Sequence, residues 1–577
     1  MFRKNERHQQ VGLYDTVEQL PEKQRLRLES SWAGAFYREL FSRIDESVFA
    51  ELYSAKASRP NTPINVLVGM EVLKSGFGWS DEELYDAFLF DLQVRYALGI
   101  RDLASGNFEL RTLYNFRSRL SQHMQQCGEN LLERVFAQVT DGQLAAFGLK
   151  TAEQRMDATY LASNIRQMSR LQLLVEVLQR VWRMLDEADR ATYEAWFALY
   201  REGTAGQFCY RVAKTDVATH LQAVGVLMQR LAAVLAGKYD DQVPYQVLKQ
   251  ILSEHFTLQS TSEPPEVQVK PNAELAANSL QSPDDREATF RQVGSVSHRG
   301  YKANVTETCE PENQFQLITC VQVAPNLTDD QQLMRDAVPN LQQRMGLTTL
   351  WTDGGFTGQQ ASAVVREFGI RQIPTGVRGS GVSEKRLGWD AFTWEVDDAG
   401  RAQMVACPGG QRVPVVSSAH ERCRAHFAAA HCTLCPLLTH CRARQARSGL
   451  RFTIYLTFRR VQVALTRQVC NTAQGPGRNR RAAVESTVRS IKHPFGGQRG
   501  KLPVRGRIRV TMMIIASALM VNVRRIWRGG SKTPLPPLAR PVRQPSRGCW
   551  WPQVRPWRVV SRSIQHIFVG APTPVPA

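Results

Sequence analysis

Acid is what this sequence lacks toward its end. From residue 422 to residue 577 the single Asp or Glu is Glu485. Twenty-four Lys and Arg lie in 451–577, so with that one carboxylate the last 127 residues carry +23. The whole chain carries +20, which leaves −3 for the first 450 residues. A near-neutral body joined to a strongly basic end points to a polyanionic partner, most simply nucleic acid. An anionic membrane surface is the other reader of such charge. However, no lipidation signal is visible and the arginines do not line one amphipathic helix. Long hydrophobic runs are missing too. The longest, 510–523, is too short to span a bilayer and reads as a buried helix with Arg at both ends. The opening Met1-Phe2-Arg3-Lys4 is polar and unlike a secretory signal, so the expectation is a cytoplasmic, nucleoid-associated protein. Eleven cysteines in such a chain are not a disulfide framework, but some of them cluster, and clustering points to metal.

With 577 residues and 43% apolar content, about three or four domains with sizeable cores are possible. The pattern predicts an apolar helix over 63–77, closed by Gly78. Ser80-Asp81-Glu82-Glu83 reads as a capping box opening a second helix to about residue 98. A third helix starts near Thr112 and carries Arg111, Arg117 and Arg119 around Tyr114 and Phe116. These helices suit either a DNA-binding domain or a plain bundle. A strand is predicted over 155–164. A long helical piece follows over 165–256, with Leu171, Leu174, Val175, Leu178, Trp182 and Leu185 as its core stripe. Residues 257–279, rich in Ser, Pro and Glu, read as a loop. Neighbouring antiparallel strands are expected over 300–308 and 314–323. Then come a helix over 329–341, a buried strand over 347–352, a helix over 359–368 and a strand over 370–374. Residues 379–449 break this α/β rhythm, a strand over 452–458 resumes it, and the region beyond 529 reads as a disordered basic tail.

Three carboxylates and four cysteines are singled out. Asp157 lies in a strand among apolar residues, where a carboxylate needs a partner or a metal. Asp353 sits at the tip of a core strand before Gly354-Gly355, where open α/β sheets place ligands. Both also fit plain readings, as a strand-edge Asp and as a turn Asp before Gly. Glu485 lies four residues after Arg481 and seven before Lys492, so on a helix all three share one face. Cys432-Thr433-Leu434-Cys435 has C-x-x-C spacing. With Cys441 downstream and Cys407-Pro408-Gly409-Gly410 upstream, four thiols can surround one structural zinc or stay as reduced free cysteines; Cys423, His426, His431 and His440 are spare donors.

In this order and in these contexts the residues resemble the DDE triad of bacterial insertion-sequence transposases. Asp157-Ala158-Thr159 with Asn164 resembles the first block, and Thr352-Asp353-Gly354-Gly355-Phe356 the second. Arg481-x3-Glu485-x6-Lys492 resembles the third. Such enzymes usually carry Tyr where this chain has Arg478. The block 63–99, the Gly300-Tyr301-Lys302 strand and the cysteine-bearing insert resemble a long-insert branch of the group, and the likeness runs over about 20–528.

The resemblance implies a ribonuclease H-like α/β fold. A mixed five-stranded sheet would carry a helical insertion (165–280), a small cysteine-rich insertion (379–450) and an N-terminal helical, DNA-binding domain (1–148). The catalytic domain would span 149–528 and the tail 529–577. The resemblance also implies two Mg²⁺ or Mn²⁺ ions held by Asp157, Asp353 and Glu485, which would cleave double-stranded element ends and join the 3′-OH to target DNA. Arg481, Lys492, Arg478 and Arg489 would contact phosphate, with Arg117 and Arg119 serving the N-terminal domain. A homodimer is expected in the active complex. Another nuclease on the same fold, or a DNA-binding remnant that no longer cuts, are the competing functions.

Overall fold

A computed structural model describes residues 1–9, 15–54, 56, 59–102, 106–259, 266–376, 386–418, 422–473, 480–496 and 501–530. Arg478 and the tail from 531 lie outside the described residues.

Among the described residues, every element up to Ala146 is a helix. The apolar helix Ile64–Phe77 is buried nearly all round and stops at Gly78, whose left-handed backbone (φ 73°) satisfies the last turn. Ser80 and Glu83 form the expected reciprocal cap. The helix they open does not reach residue 98. It ends at Phe90, because the Asp91 side chain accepts from the amides of Gln93 and Val94 and starts a new helix, Leu92–Ala97. The third helix is Leu110–Cys127.

The strand Glu153–Ala162 (β1) is the middle of a six-stranded mixed sheet. The chain then makes five helices between Arg170 and His255 around their own apolar core. A polar stretch expected to be a loop instead forms a small hairpin, Phe256–Gln259 (β2) with Glu266–Val269 (β3). Thr289–Val293 (β4) and Val296–Thr308 (β5) make an antiparallel hairpin, and Ile318–Pro325 (β6) pairs beside β5. Across the sheet, β5 runs antiparallel to β1, whereas Thr349–Thr352 (β7) and Arg371–Pro374 (β8) run parallel to it. The order is β4-β5-β1-β7-β8, with β6 on β5. The sheet has six strands rather than five because the short β4 extends the β5 edge.

A second, antiparallel sheet follows. Its order is β13-β14-β12-β11-β10-β9, built from Thr393–Val396 (β9), Ala402–Ala406 (β10), Arg412–Ser418 (β11), Arg422–Ala428 (β12), Arg444–Gln445 (β13) and Arg451–Thr457 (β14). The last strand, expected to resume the α/β part, pairs with β12 along its whole length.

The chain returns through helices Phe458–Ala473, Ala482–Lys492 and Arg507–Gly530. The last is the one described helix long and apolar enough to cross a membrane, and most of it is buried inside the protein. Met513, Leu519 and Val523 share one core with Phe36, Leu67 and Leu73 of the N-terminal helices and with Val305 and Ile318 of the sheet.

Candidate active site

Strand β1 delivers Asp157 from the middle of the sheet, the tip of β7 delivers Asp353, and the first turn of Ala482–Lys492 delivers Glu485. Asp157 is buried and accepts from the Ala158 amide (3.0 Å). Asp353 caps the short turn after β7, its carboxylate accepting from the Gly355 amide (2.7 Å). Glu485 is 65% exposed.

One cation binds two of them and feels the third. Arg481, at the N-cap of the Glu485 helix, donates to Asp157 Oδ1 (3.0 Å) and to Glu485 Oε1 (3.3 Å). Burial works against its charge, but Asp157, Asp353 and Glu485 together overcome this and raise its pKa. Burial raises the Asp157 pKa, the neighbouring Asp353 adds to the rise, and Arg481 opposes it.

The guanidinium therefore lies where a cation would meet Asp157 and Glu485, with Asp353 nearby. Such a hard-donor set suits Mg²⁺ or Mn²⁺. The three carboxylates do not close on one another in this state. Among the described residues, only Glu51, His123 and Glu129 bring three ligand atoms within 4.8 Å, and there Arg134 already pairs with Glu129 (2.8 Å).

A buried ion network sets the Glu485 helix against β1. Glu307 of β5, with no exposed surface, accepts from Arg155 (2.6 Å), Arg525 (2.6 Å) and Thr487 (2.7 Å). Arg155 lies two residues before Asp157 and also donates to the Arg480 carbonyl (2.8 Å). Thr487 lies two residues after Glu485. Each interaction is charge-assisted and desolvated, so the network is stiff as long as every member is paired. Sequence reading passed over Glu307 and Arg525. Glu307 lies in the buried half of β5, as does a second charged residue, Lys302.

The basic residues divide. Lys492 turns back onto β1, donating to Thr159 Oγ1 (3.1 Å) and the Tyr160 carbonyl (3.2 Å), and burial lowers its pKa. Arg489 is exposed one turn from Glu485. Arg117 points inward, clamped by Glu71 (2.5 Å) and Asp81 (2.8 Å). Arg119 lies over the Tyr53 ring (4.8 Å) on the wall of a cleft of about 1200 Å³, which Arg7, Arg59 and Arg101 also line.

In the second sheet Cys407, Cys432, Cys435 and Cys441 line one small pocket of about 40 Å³ together with His431. A Cβ at Gly409 would lie 3.2 Å from Cys435 Sγ and 3.7 Å from Cys407 Sγ, so glycine leaves that cradle open. Burial raises the Cys432 thiol pKa, and the three other thiols push the same way. Four thiols thus line one pocket, although no three of their sulfurs lie within 4.8 Å of one another. Cys423 and His426 lie elsewhere, in the sheet core and against Thr453.

Residues 406–527 match the family model for a transposase DDE domain, and residues 24–119 match that for a transposase domain (DUF772). Both matches are to transposase families and are consistent with a DDE transposase of an insertion sequence. The first match takes in Glu485 and the four cysteines; the second takes in Arg117 and Arg119. No curated protein and no solved structure matches the chain. DDE transposases normally use divalent metals such as Mg²⁺ and have DNA as their partner.

Proposed function

We propose that this transposase binds the double-stranded ends of its element, cleaves them and joins the freed 3′-OH to target DNA. Asp157, Asp353 and Glu485 hold two Mg²⁺ or Mn²⁺ ions. The observation that carries the reading is that Asp157 and Glu485, from a strand and a helix far apart in sequence, both bind the guanidinium of Arg481, with Asp353 near enough to act on its charge. The sheet order, with β5 antiparallel and β7 and β8 parallel to β1, supports a ribonuclease H-like catalytic domain over 149–528.

When bound, the ions activate the attacking oxygen and stabilise the leaving one. The residues do the rest. Asp157 and Asp353 present their carboxylates from the rigid sheet, and Glu485 closes the site from the helix that Glu307 fixes. Arg481 keeps the unloaded carboxylates from repelling one another, then turns its charge to phosphate. Arg489 and Arg119 contact backbone from outside the site, and the first 148 residues recognise the element end. Zinc on the four thiols folds the second sheet. The active complex is a homodimer carrying paired ends.

The test is nicking of duplex element ends in Mn²⁺. The wild type should nick and transfer a strand. Asp157→Asn, Asp353→Asn and Glu485→Gln should each lose at least about a thousandfold in rate, yet still shift the duplex in a gel, since the basic surface is untouched. Nicking that persists in Asp157→Asn would end the proposal.

A further inference from the structure

Arg480 stands one residue before the Arg481 N-cap, and it ties together the three elements that carry the carboxylates. Its guanidinium pairs with Glu153 of β1 and lies 5.6 Å from the ring centre of Trp351 in β7. The Trp351 indole N–H donates to the same Glu153 carboxylate (3.4 Å). The Arg480 carbonyl accepts from Arg155 (2.8 Å), which is itself bound to Glu307. The side chain is thus held by two strands and the backbone by the buried ion network.

Strand register explains why these groups meet. Glu153 pairs with Thr349 and Arg155 with Trp351, side by side on β1 and β7. Side chains alternate along a strand, so Glu153, Arg155 and Asp157 share one side of β1. Trp351 lies two residues before Asp353. The helix that carries Glu485 has no side-chain cap at its N-terminus. Its first amides are therefore unsatisfied by the helix itself, and its first turn needs an outside tether. Arg480 is that tether.

Arg480 is not placed to be a metal ligand or a phosphate ligand. Four residues of strand, roughly 13 Å at about 3.3 Å each, separate Glu153 from Asp157. The Arg480 charge is taken up by a carboxylate and an aromatic face. A planar guanidinium can pair through its edge while it stacks on a ring, which an ammonium cannot do.

We propose that Arg480 is a positioning residue. Its clamp on Glu153 and Trp351 fixes the first turn of the Glu485 helix against the two strands that present Asp157 and Asp353, and so sets the affinity of the three carboxylates for divalent metal. The inference rests on the two-metal reading above.

The test uses full-length protein. Mn²⁺ binding is followed by its electron paramagnetic signal without DNA, nicking of duplex element ends as Mn²⁺ is raised, and duplex affinity as salt is raised. Arg480→Ala should weaken Mn²⁺ binding by at least about tenfold. The Mn²⁺ needed for half-maximal nicking should rise by the same factor, with the rate at saturating Mn²⁺ nearly kept. Arg480→Lys keeps the pair but loses the flat stack, so it should recover part of the loss. Glu153→Gln should match Arg480→Ala, and the double variant should be no worse than either alone, because both remove one contact. The pair is partly exposed, so melting curves should not move. Should Arg480→Ala melt early, the isosteric Glu153→Gln carries the same expectation. Unchanged Mn²⁺ affinity in both variants would overturn the proposal and leave the transposase reading standing. Early melting of both would make the clamp merely structural and overturn it too. So would a salt slope of duplex affinity reduced by about 0.9 in Arg480→Ala, since that marks a phosphate contact. A wild type that neither binds Mn²⁺ nor nicks would sink the metal reading and this proposal with it.

Discussion

The two sheets use arginine in opposite ways. Against the six-stranded sheet, Arg155 of β1 and Arg525 of the last helix are turned inward and bound to Glu307, and Arg481, at a helix N-cap, is bound to Asp157 and Glu485. In the second sheet Arg424, Arg444 and Arg451 face water with no carboxylate beside them on their strands. An inward arginine must be paired, because an unpaired buried charge costs several kcal/mol. An outward cluster of arginines carries the opposite sign of information, since self-repulsion persists until an anion arrives. The same residue type is a structural fastener against one sheet and a solvent-facing group on the other. Composition alone does not separate the two.

The sharpest way to break this contrast is to remove one carboxylate from each sheet. Glu307→Gln leaves Arg155 and Arg525 short of a counter-ion and should cost about 3–5 kcal/mol in chemical denaturation. Glu395→Gln, at the surface, should leave the denaturation midpoint unmoved. Equal losses in both would mean that inward and outward pairs are alike here.

A weaker effect is expected from the four-thiol pocket. Purified protein should contain one zinc. Chelation or Cys432→Ser should lower the melting temperature while sparing the far-UV signature of the helices. Metal analysis that finds no zinc would remove that support from the second sheet.

The smallest effect concerns pH and lies in the helical insertion. Burial, with help from Arg170 and Lys270, lowers the His255 pKa to about 4. The unfolded chain, near 6.5, then binds the proton that the folded chain refuses. Stability is fully present above pH 6.5 and drains away as pH falls toward 4, by up to about 3 kcal/mol. A His255→Gln variant should flatten that limb in denaturation midpoints measured between pH 7 and 4.

Local signals were legible in the sequence. The cap at Ser80, the stop at Gly78, the apolar Arg507–Gly530 helix and the elements that carry the three carboxylates all follow from spacing within one or two turns. What stayed hidden depends on partners far along the chain. Glu71 and Asp81, which clamp Arg117, lie 46 and 36 residues away from it. Glu307 lies 152 residues from Arg155 and 180 from Thr487. Alternation shows that 451–457 is a strand but says nothing about which sheet it joins. The β2–β3 hairpin was missed because each strand has four residues and lies in a polar stretch. At 256–259 and 266–269 register, rather than hydrophobicity, makes the sheet.

The helix Arg507–Gly530 has one more consequence. Met520 fills the space beside Gly76, Asn522 exchanges hydrogen bonds with Ile318, and Arg525 reaches Glu307. A growing polypeptide would therefore have made Asp157, Asp353 and Glu485 before the helix that packs against their sheet. A prematurely stopped product would hold all three carboxylates without the contacts that this helix makes to Ile318 and Glu307.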